Sequence, residues 1–208
     1  MLDRQTEQQK NEARLRVLAA AVEEFARHGL ANARIRSIVD AARVNLAAVN
    51  YYFGGKEGLY QAALLSLAVR LTPIDGAKLE AARSSRERLR VCVALVLGGL
   101  STGTGPTQLA RILAHETLTR SARLGAVFAE VLPAEVAWLR SIVRGIAGPD
   151  AREETVSRMV EVILGQCVLY LQAAVSFDAE AREVLASQIA ESAVRDVERA
   201  HLAPVVEK

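Results

Sequence analysis

Aromatic residues make up only 4% of this chain of 208 residues, which also contains five prolines and two cysteines. Alanine, leucine, arginine, glutamate and valine dominate instead, and such a composition favours helices over strands. We therefore expect an all-α protein. Because 51% of the residues are hydrophobic, the chain can bury a sizeable core, and its length fits two closely joined domains.

The sequence also lacks the segments that target a protein to a membrane. It contains no apolar run long enough to span a bilayer, which requires about 18 residues. It has no basic stretch followed by an apolar one, which is typical of a signal peptide. We therefore expect a cytoplasmic protein without a membrane partner.

Few residues suggest catalysis or metal binding. Cys92 and Cys167 are too few, and too far from any pair of histidines, to predict a zinc site, and we expect both to pack in helices. A redox role for Cys92 stays open as an alternative. His115 and Glu116 adjoin in sequence, but neighbours on a helix do not face each other. Since there is no phosphate loop or nucleophile turn either, we expect neither an enzyme nor a cofactor.

The net charge of +2 lies entirely in the N-terminal part of the chain. Residues 1–60 contain nine basic and seven acidic residues, whereas the rest of the chain contains 17 of each. Between residues 27 and 56 there are five basic residues, and Asp40 is the only acidic one. Such a cluster is typical of a surface that contacts phosphates. We assign Arg34, Arg36 and Arg43 to that surface.

Residues 35–59, IRSIVDAARVNLAAVNYYFGGKEGL, predict two short helices joined by a tight turn. The first helix, Ile35–Ala42, has its apolar residues at the spacing of a buried stripe. Asn45 suits the N-cap of the second helix, which extends over residues 46–53. We expect its Val49 and Phe53 to face the core. The outward face then consists of Leu46, Ala47, Ala48, Asn50 and Tyr51, which suits the major groove of DNA.

The segment VNLAAVNYYFGGKEGLY, preceded by a helix that ends at Gly29, resembles the DNA-binding domain of TetR-type transcriptional regulators. The resemblance covers about the first 60 residues. It implies a three-helix helix-turn-helix domain, taken here as residues 1–58. It also implies that six residues of the second helix face DNA, with Tyr52 and Lys56 near phosphates: Asn45, Leu46, Ala47, Ala48, Asn50 and Tyr51. Two positions depart from the family pattern: Arg43 replaces a glycine in the turn, and Ala33 and Arg34 replace a capping threonine or serine.

The rest of the chain predicts further helices. Residues 1–11 are polar and expected to be frayed, with Arg4 and Lys10 available as an arm against DNA. A first helix over residues 11–28 precedes the motif, and a fourth over 56–71 should end or bend at Pro73. Residues 101–106, STGTGP, predict a loop. Two long helices, over residues 151–175 and 179–201, should be antiparallel neighbours joined near Phe177 and Asp178.

Residues 59–208 are therefore expected to form a helical domain that binds an effector and forms the dimer. Polar residues among apolar ones mark a candidate pocket for a small molecule, with Glu116 orienting a donor or a cation. Its members are Cys92, His115, Glu116, Phe128, Trp138, Gln166 and Tyr170. We predict a homodimeric repressor that binds a palindromic operator and is released by the effector. The alternative is a helical partner-binding or architectural protein with weakened operator binding.

Overall fold

The computed structural model describes residues 2–69, 71, 76–101, 104–119, 123–173 and 179–202, and these form eleven α-helices without a strand. This confirms the all-α prediction. The helices are α1 (Leu2–Asn32), α2 (Ile35–Ala42), α3 (Ala47–Phe53), α4 (Lys56–Ala68), α5 (Gly76–Glu80), α6 (Ser85–Ser101), α7 (Thr104–Leu118), α8 (Leu124–Val131), α9 (Pro133–Ala147), α10 (Glu153–Ala173) and α11 (Ala179–Leu202).

Helices α1 to α4 pack around one end of the core. The stripe predicted in α2 is buried at Ile38, Val39 and Ala42, and α3 contributes Val49. Helix α1 is kinked at Gly29, where φ is 67° and ψ is 174°. The Arg16 side chain donates from Nε to the carbonyl oxygen of Ala42, which joins α1 to the end of α2.

The prediction of a frayed N-terminus was wrong, because α1 begins at Leu2. Its first part is rich in glutamine, glutamate and arginine, which lose little side-chain freedom in a helix. This part also has a tertiary contact: the Arg14 guanidinium carbon lies 5.5 Å from the centre of the Phe53 ring. Cation–π contacts of this kind favour an ordered helix at the surface.

Three other boundaries differ from the sequence prediction. Helix α6 extends to Ser101 and α7 begins at Thr104, so most of the predicted loop is helical. Pro106 fits there because the first turn of a helix needs no backbone donor. Helix α5 was not predicted, and α4 ends at Ala68. The predicted bend at Pro73 and the link at Phe177 and Asp178 lie outside the described residues.

The C-terminal helices surround α6, which packs against α7, α9, α10 and α11. Their buried side chains are almost all aliphatic, and they include Leu89, Val93, Leu97, Leu109, Ile112, Leu139, Val143, Ile163, Leu164 and Ile189. Helix α7 also packs against α1 and α4, so it connects the two ends of the molecule. None of the helices in the described ranges has the length and apolar character needed to cross a membrane.

Candidate nucleic-acid interface

The turn between α2 and α3 has the left-handed residue that the sequence pattern requires. Arg43 has φ 53° and ψ 50°, and its amide donates to the carbonyl oxygen of Asp40. The amide of Val44 donates to the carbonyl oxygen of Val39. These two bonds satisfy carbonyl groups at the end of α2. The turn therefore forms with arginine in a conformation that costs roughly 1 kcal/mol relative to glycine.

Asn45 starts the recognition helix α3 as predicted. Its side-chain oxygen Oδ1 accepts a 3.0 Å hydrogen bond from the amide of Ala47. Leu46 already has helical backbone angles, so the helical conformation extends one residue before the first residue of α3. The Asn45 cap satisfies an amide that would otherwise lack a partner and so fixes the direction of α3.

The outward face of α3 is open to solvent. Tyr51 is 72% exposed and Leu46 is 57% exposed, while Asn45, Ala47 and Asn50 are also exposed. Ala48 and Tyr52 are half-buried. The rings of Tyr51, Tyr52 and Phe53 pack edge to face in series. The face thus offers small residues for close approach and aromatic side chains at its C-terminal end.

The N-terminus of α2 lacks the capping hydroxyl of the pattern that the sequence resembles, and a carboxylate from α1 replaces it. The Arg34 side chain forms no cap, but the Arg34 amide donates to Oε1 of Glu24 at 2.8 Å. Charge-assisted bonds of this type are strong. Sequence reasoning did not identify Glu24, because the contact spans ten residues and follows no local pattern.

The basic residues assigned to phosphates have different surroundings. Arg34, Arg36 and Arg43 are exposed near α2 and α3. Lys56 is half-buried, and its Nζ donates to the carbonyl oxygen of Ala31, beside the end of α1. Lys56 therefore has a structural contact, and its role at a phosphate remains a prediction. Arg14, which the sequence analysis did not assign, lies close to this surface through Phe53.

The seven residues predicted to bind an effector do not form one pocket. Cys92 and Phe128 are buried in the core, and Trp138 packs near Gly76. Gln166 and Tyr170 are on α10, where Gln166 is half-buried and Tyr170 is 45% exposed. Phe128 also borders a small cleft of about 190 Å³, whose other lining residues are Gly125, Ala126, Val136, Arg140, Ser157, Val160 and Glu161.

His115 and Glu116, in contrast, line a common cleft of about 360 Å³ between α1, α4 and α7. We call it the α1–α4–α7 cleft. Its other lining residues are His28, Gly29, Leu30, Ala31, Asn32, Lys56, Glu57, Thr119 and Arg123. His115 Nε2 lies 3.3 Å from the carbonyl oxygen of Ala26. A cleft of this size lies at the lower end of the range for ligand pockets, roughly 300–1,000 Å³.

Glu116 is the one buried charged residue in the described part of the chain, at 5% exposure. Its Oε1 accepts a 2.7 Å hydrogen bond from the hydroxyl of Tyr60 on α4. Burial, and then this hydrogen bond, raise the pKa of the Tyr60 hydroxyl above its ordinary value. The Tyr60 ring also packs edge to face on Phe25 of α1, with centroids 5.0 Å apart. Tyr60 thus joins α1, α4 and α7, a role that sequence reasoning missed.

Comparison with known proteins gives matches along both parts of the chain. Residues 17–63 match the family of bacterial regulatory proteins, tetR family, and residues 85–203 match the C-terminal domain of the HTH-type transcriptional dual regulator CecR. The chain is 25% identical to CecR of Shigella flexneri over 175 residues, covering 76% of this chain and 75% of CecR. It is 44% identical over 64 residues to the HTH-type transcriptional repressor SCO4008 of Streptomyces coelicolor, covering 29% and 33% of the two chains.

A solved structure shows the same fold. FadR from Bacillus subtilis, in complex with stearoyl-CoA, has a TM-score of 0.55 and 18% identity, and covers 86% of this chain and 97% of FadR. The match to the C-terminal domain of CecR alone covers more than half of this chain. The chain therefore belongs to the tetR family of bacterial regulatory proteins, with a C-terminal domain of the CecR type, and it is a DNA-binding transcriptional regulator.

Proposed function

We propose that this regulator is a homodimeric repressor that binds a palindromic operator through α2 and α3 and leaves it when a small molecule binds. The observation that carries the proposal is the open face of α3 next to the Arg43 turn, because its exposed and small residues permit close approach to a major groove. Asn45 and Asn50 can bond to base edges, and Tyr51 can reach a phosphate. Arg34, Arg36 and Arg43 add positive charge beside it.

The proposed domain boundary, after residue 58, lies within α4. The helix begins at Lys56 beside the end of α1, and from Tyr60 onward it also contacts α7. A helix that belongs to both parts can transmit a movement from the C-terminal helices to α3. We therefore propose that α4 transmits the movement. The Tyr60–Glu116 hydrogen bond is the contact of α4 with the proposed effector-binding part.

We propose that the effector binds in the α1–α4–α7 cleft, which both His115 and Glu116 line. A ligand there would contact the three helices whose relative positions set the orientation of α3. FadR, which has a similar fold, is in complex with stearoyl-CoA, and this supports the proposal that a small molecule binds this chain. The effector can shift the equilibrium only by its difference in affinity for the two arrangements.

The dimer would form through α10 and α11. Val162, Gln166 and Tyr170 lie four residues apart on α10, so they share one face. Val162 is 39% exposed, and Val184 on α11 is 54% exposed. The side-chain oxygen of Gln166 is buried and accepts no hydrogen bond among the described residues. A two-fold pairing of these helices would place two copies of α3 on one operator.

Selection of bound duplexes from a random pool at low salt tests the DNA-binding part. We expect an inverted repeat, and weaker binding by Tyr51→Ala and Lys56→Ala. Leu118→Ala, at an exposed position on α7, is the control and should bind like the wild type. If no sequence is selected, the partner-binding or architectural alternative becomes the better description of the chain.

A thermal-shift screen tests the effector part. Small apolar and cationic compounds are compared on the wild type and on Glu116→Gln, and each compound that stabilises the wild type is added to the protein–operator complex. We expect at least one compound that loses stabilisation in Glu116→Gln and releases DNA from the wild type. Compounds that stabilise both proteins equally would remove Glu116 from the site.

A further inference from the structure

A second open groove lies beside the recognition helix, between the first turns of α1 and the C-terminal end of α3. Its volume is about 620 Å³, and it is lined by Glu7, Gln8, Lys10, Asn11, Arg14, Tyr51 and Tyr52. The match to the tetR family begins only at residue 17. One wall of the groove is therefore a feature of this chain outside the matched segment, and the other wall is the proposed DNA-reading helix.

The spacing of the groove residues on α1 places them on one side of the helix. Lys10 and Asn11 lie three and four residues after Glu7, and Arg14 lies four and three residues after them, which brings the four side chains to a common face. The Arg14 guanidinium over the Phe53 ring holds this face against the end of α3. The two walls of the groove are therefore α1 and α3, and the Arg14–Phe53 contact joins them at one side.

The chemistry of the groove fits a phosphodiester. Lys10 and Arg14 supply two positive charges, and the hydroxyl groups of Tyr51 and Tyr52 supply hydrogen-bond donors. Lys10 is exposed and forms no ion pair with another described residue. Glu7 opposes an anion from the same wall. The net charge of the groove is nevertheless positive, and the groove is continuous with the face of α3 that holds Asn50 and Tyr51.

We propose that this groove holds the sugar–phosphate backbone of duplex DNA, with Lys10, Asn11 and Arg14 as phosphate-binding residues in addition to the two tyrosines. The proposal rests on the proposed binding of DNA by α3. A DNA strand bound here would contact α1 on one side and the C-terminal end of α3 on the other. Contacts to phosphates fix the position of a protein on DNA and add affinity for every sequence equally.

The test measures the dissociation constant of the full-length protein for a duplex selected from the random pool, and for an unselected duplex, over a range of salt concentrations. Lys10→Ala should weaken both by roughly five- to tenfold at low salt. Because each dimer loses two phosphate contacts, it should also reduce the slope of log affinity against log salt by about 2. Arg14→Ala should do the same, whereas Arg14→Lys should retain the slope. Glu7→Gln should strengthen binding.

Arg152→Ala, an exposed charge before α10, is the control for net charge and should change neither quantity. Thermal unfolding of each variant shows whether the loss of the Arg14–Phe53 contact disturbs the fold; Lys10→Ala, fully on the surface, should unfold like the wild type. If Lys10→Ala and Glu7→Gln leave affinity and slope unchanged while the wild type still selects an operator, the groove proposal is wrong and the proposed function stands. If the wild type selects no DNA, the proposed function itself fails.

Discussion

The hydroxyl of Tyr60 donates a 2.7 Å hydrogen bond to the carboxylate of Glu116, and this bond joins α4 to α7 across the α1–α4–α7 cleft. Both side chains are buried, Tyr60 at 1% exposure. Buried polar groups contribute to stability only while they are paired. The bond therefore favours one position of α4 relative to α7, and any ligand or substitution that breaks it should favour another.

Tyr60→Phe tests the contribution of this bond. The substitution keeps the ring on Phe25 but leaves the Glu116 carboxylate without its donor, which should lower the free energy of unfolding by about 1–3 kcal/mol. Glu116→Gln keeps an oxygen that can accept from Tyr60 and should cost less. Urea denaturation measures both. A loss for Tyr60→Phe within about 0.5 kcal/mol, the range of ordinary surface changes, would mean that the bond does not hold α4.

Gly29→Ala tests the packing of α7 against the kink in α1. A Cβ atom at Gly29 would lie 2.9 Å from Cβ and Cγ of His115, and the residue has φ +67°. Gly148 has a similar backbone, with φ 91° and ψ 171°, but nothing lies within 4 Å of its Cβ position. Gly148→Ala should therefore cost only backbone strain, about 1–3 kcal/mol, and Gly29→Ala should cost more.

The comparison is made from the midpoints of thermal unfolding. Equal losses for the two alanine variants would show that the His115 side chain moves aside without cost. The operator affinity of Gly29→Ala provides a second measurement. Because the kink precedes α2, a shift of α7 against it should also weaken DNA binding, whereas Gly148→Ala should bind normally.

The DNA-binding helices could be predicted from the sequence because their signals are local. A left-handed Arg43, a capping Asn45 and the glycine that ends α3 each act within a few residues of their own position. The structure has all three, with φ 53° at Arg43 and φ 72° at Gly54. The missing capping hydroxyl at Arg34 was also identified from the sequence. The Glu24 carboxylate that takes its place was not, because that contact depends on how α1 packs against α2.

The surroundings of the residues that we expected to bind an effector could not be predicted from the sequence, for a related reason. A polar residue in an apolar helix shows that something unusual surrounds it, but not which helix it faces. Glu116 proved to face Tyr60, which is 56 residues away in sequence. Gln166 and Tyr170, which have the same kind of sequence context, do not line the cleft beside Glu116; Gln166 is half-buried on α10 and Tyr170 is exposed. Glu116 differs from Gln166 and Tyr170 in which neighbouring helix its side of the helix faces. The periodicity of the sequence does not contain that information.

The buried thiols allow a test of the redox alternative. Burial raises the pKa of the Cys92 thiol to about 12, and burial also raises that of Cys167 above its ordinary value. Since the thiolate is the reactive form, both should be almost inert at neutral pH. We expect labelling by a thiol reagent only at the rate of unfolding, and full labelling in denaturant. Rapid labelling of Cys92 in the native protein would revive the redox role.

Arg43→Gly should separate stability from DNA binding. Glycine adopts the left-handed conformation without strain, so the folded state should gain up to about 1 kcal/mol, reduced by the greater freedom of glycine in the unfolded chain. The same change removes a charge beside α2 and α3. We therefore expect a higher midpoint of thermal unfolding together with weaker operator binding and a smaller salt slope. Arg43→Lys should keep the slope, and unchanged binding by Arg43→Gly would remove Arg43 from the interface.

Val184→Glu and Val162→Glu test the dimer. Ile189, although central on α11, is 2% exposed within one protomer, so a charge there would disturb the fold itself. Val184 and Val162 are exposed, and a glutamate at either position should leave the protomer folded while placing like charges near the two-fold axis of the proposed pairing. We expect monomers by sedimentation that bind the operator poorly, because two half-sites can no longer be engaged together. Leu118→Glu, at an apolar position on α7 that is 69% exposed, is the control and should remain dimeric. A wild-type protein that sediments as a monomer at micromolar concentration, or Val184→Glu and Val162→Glu proteins that stay dimeric, would place the interface elsewhere on the chain.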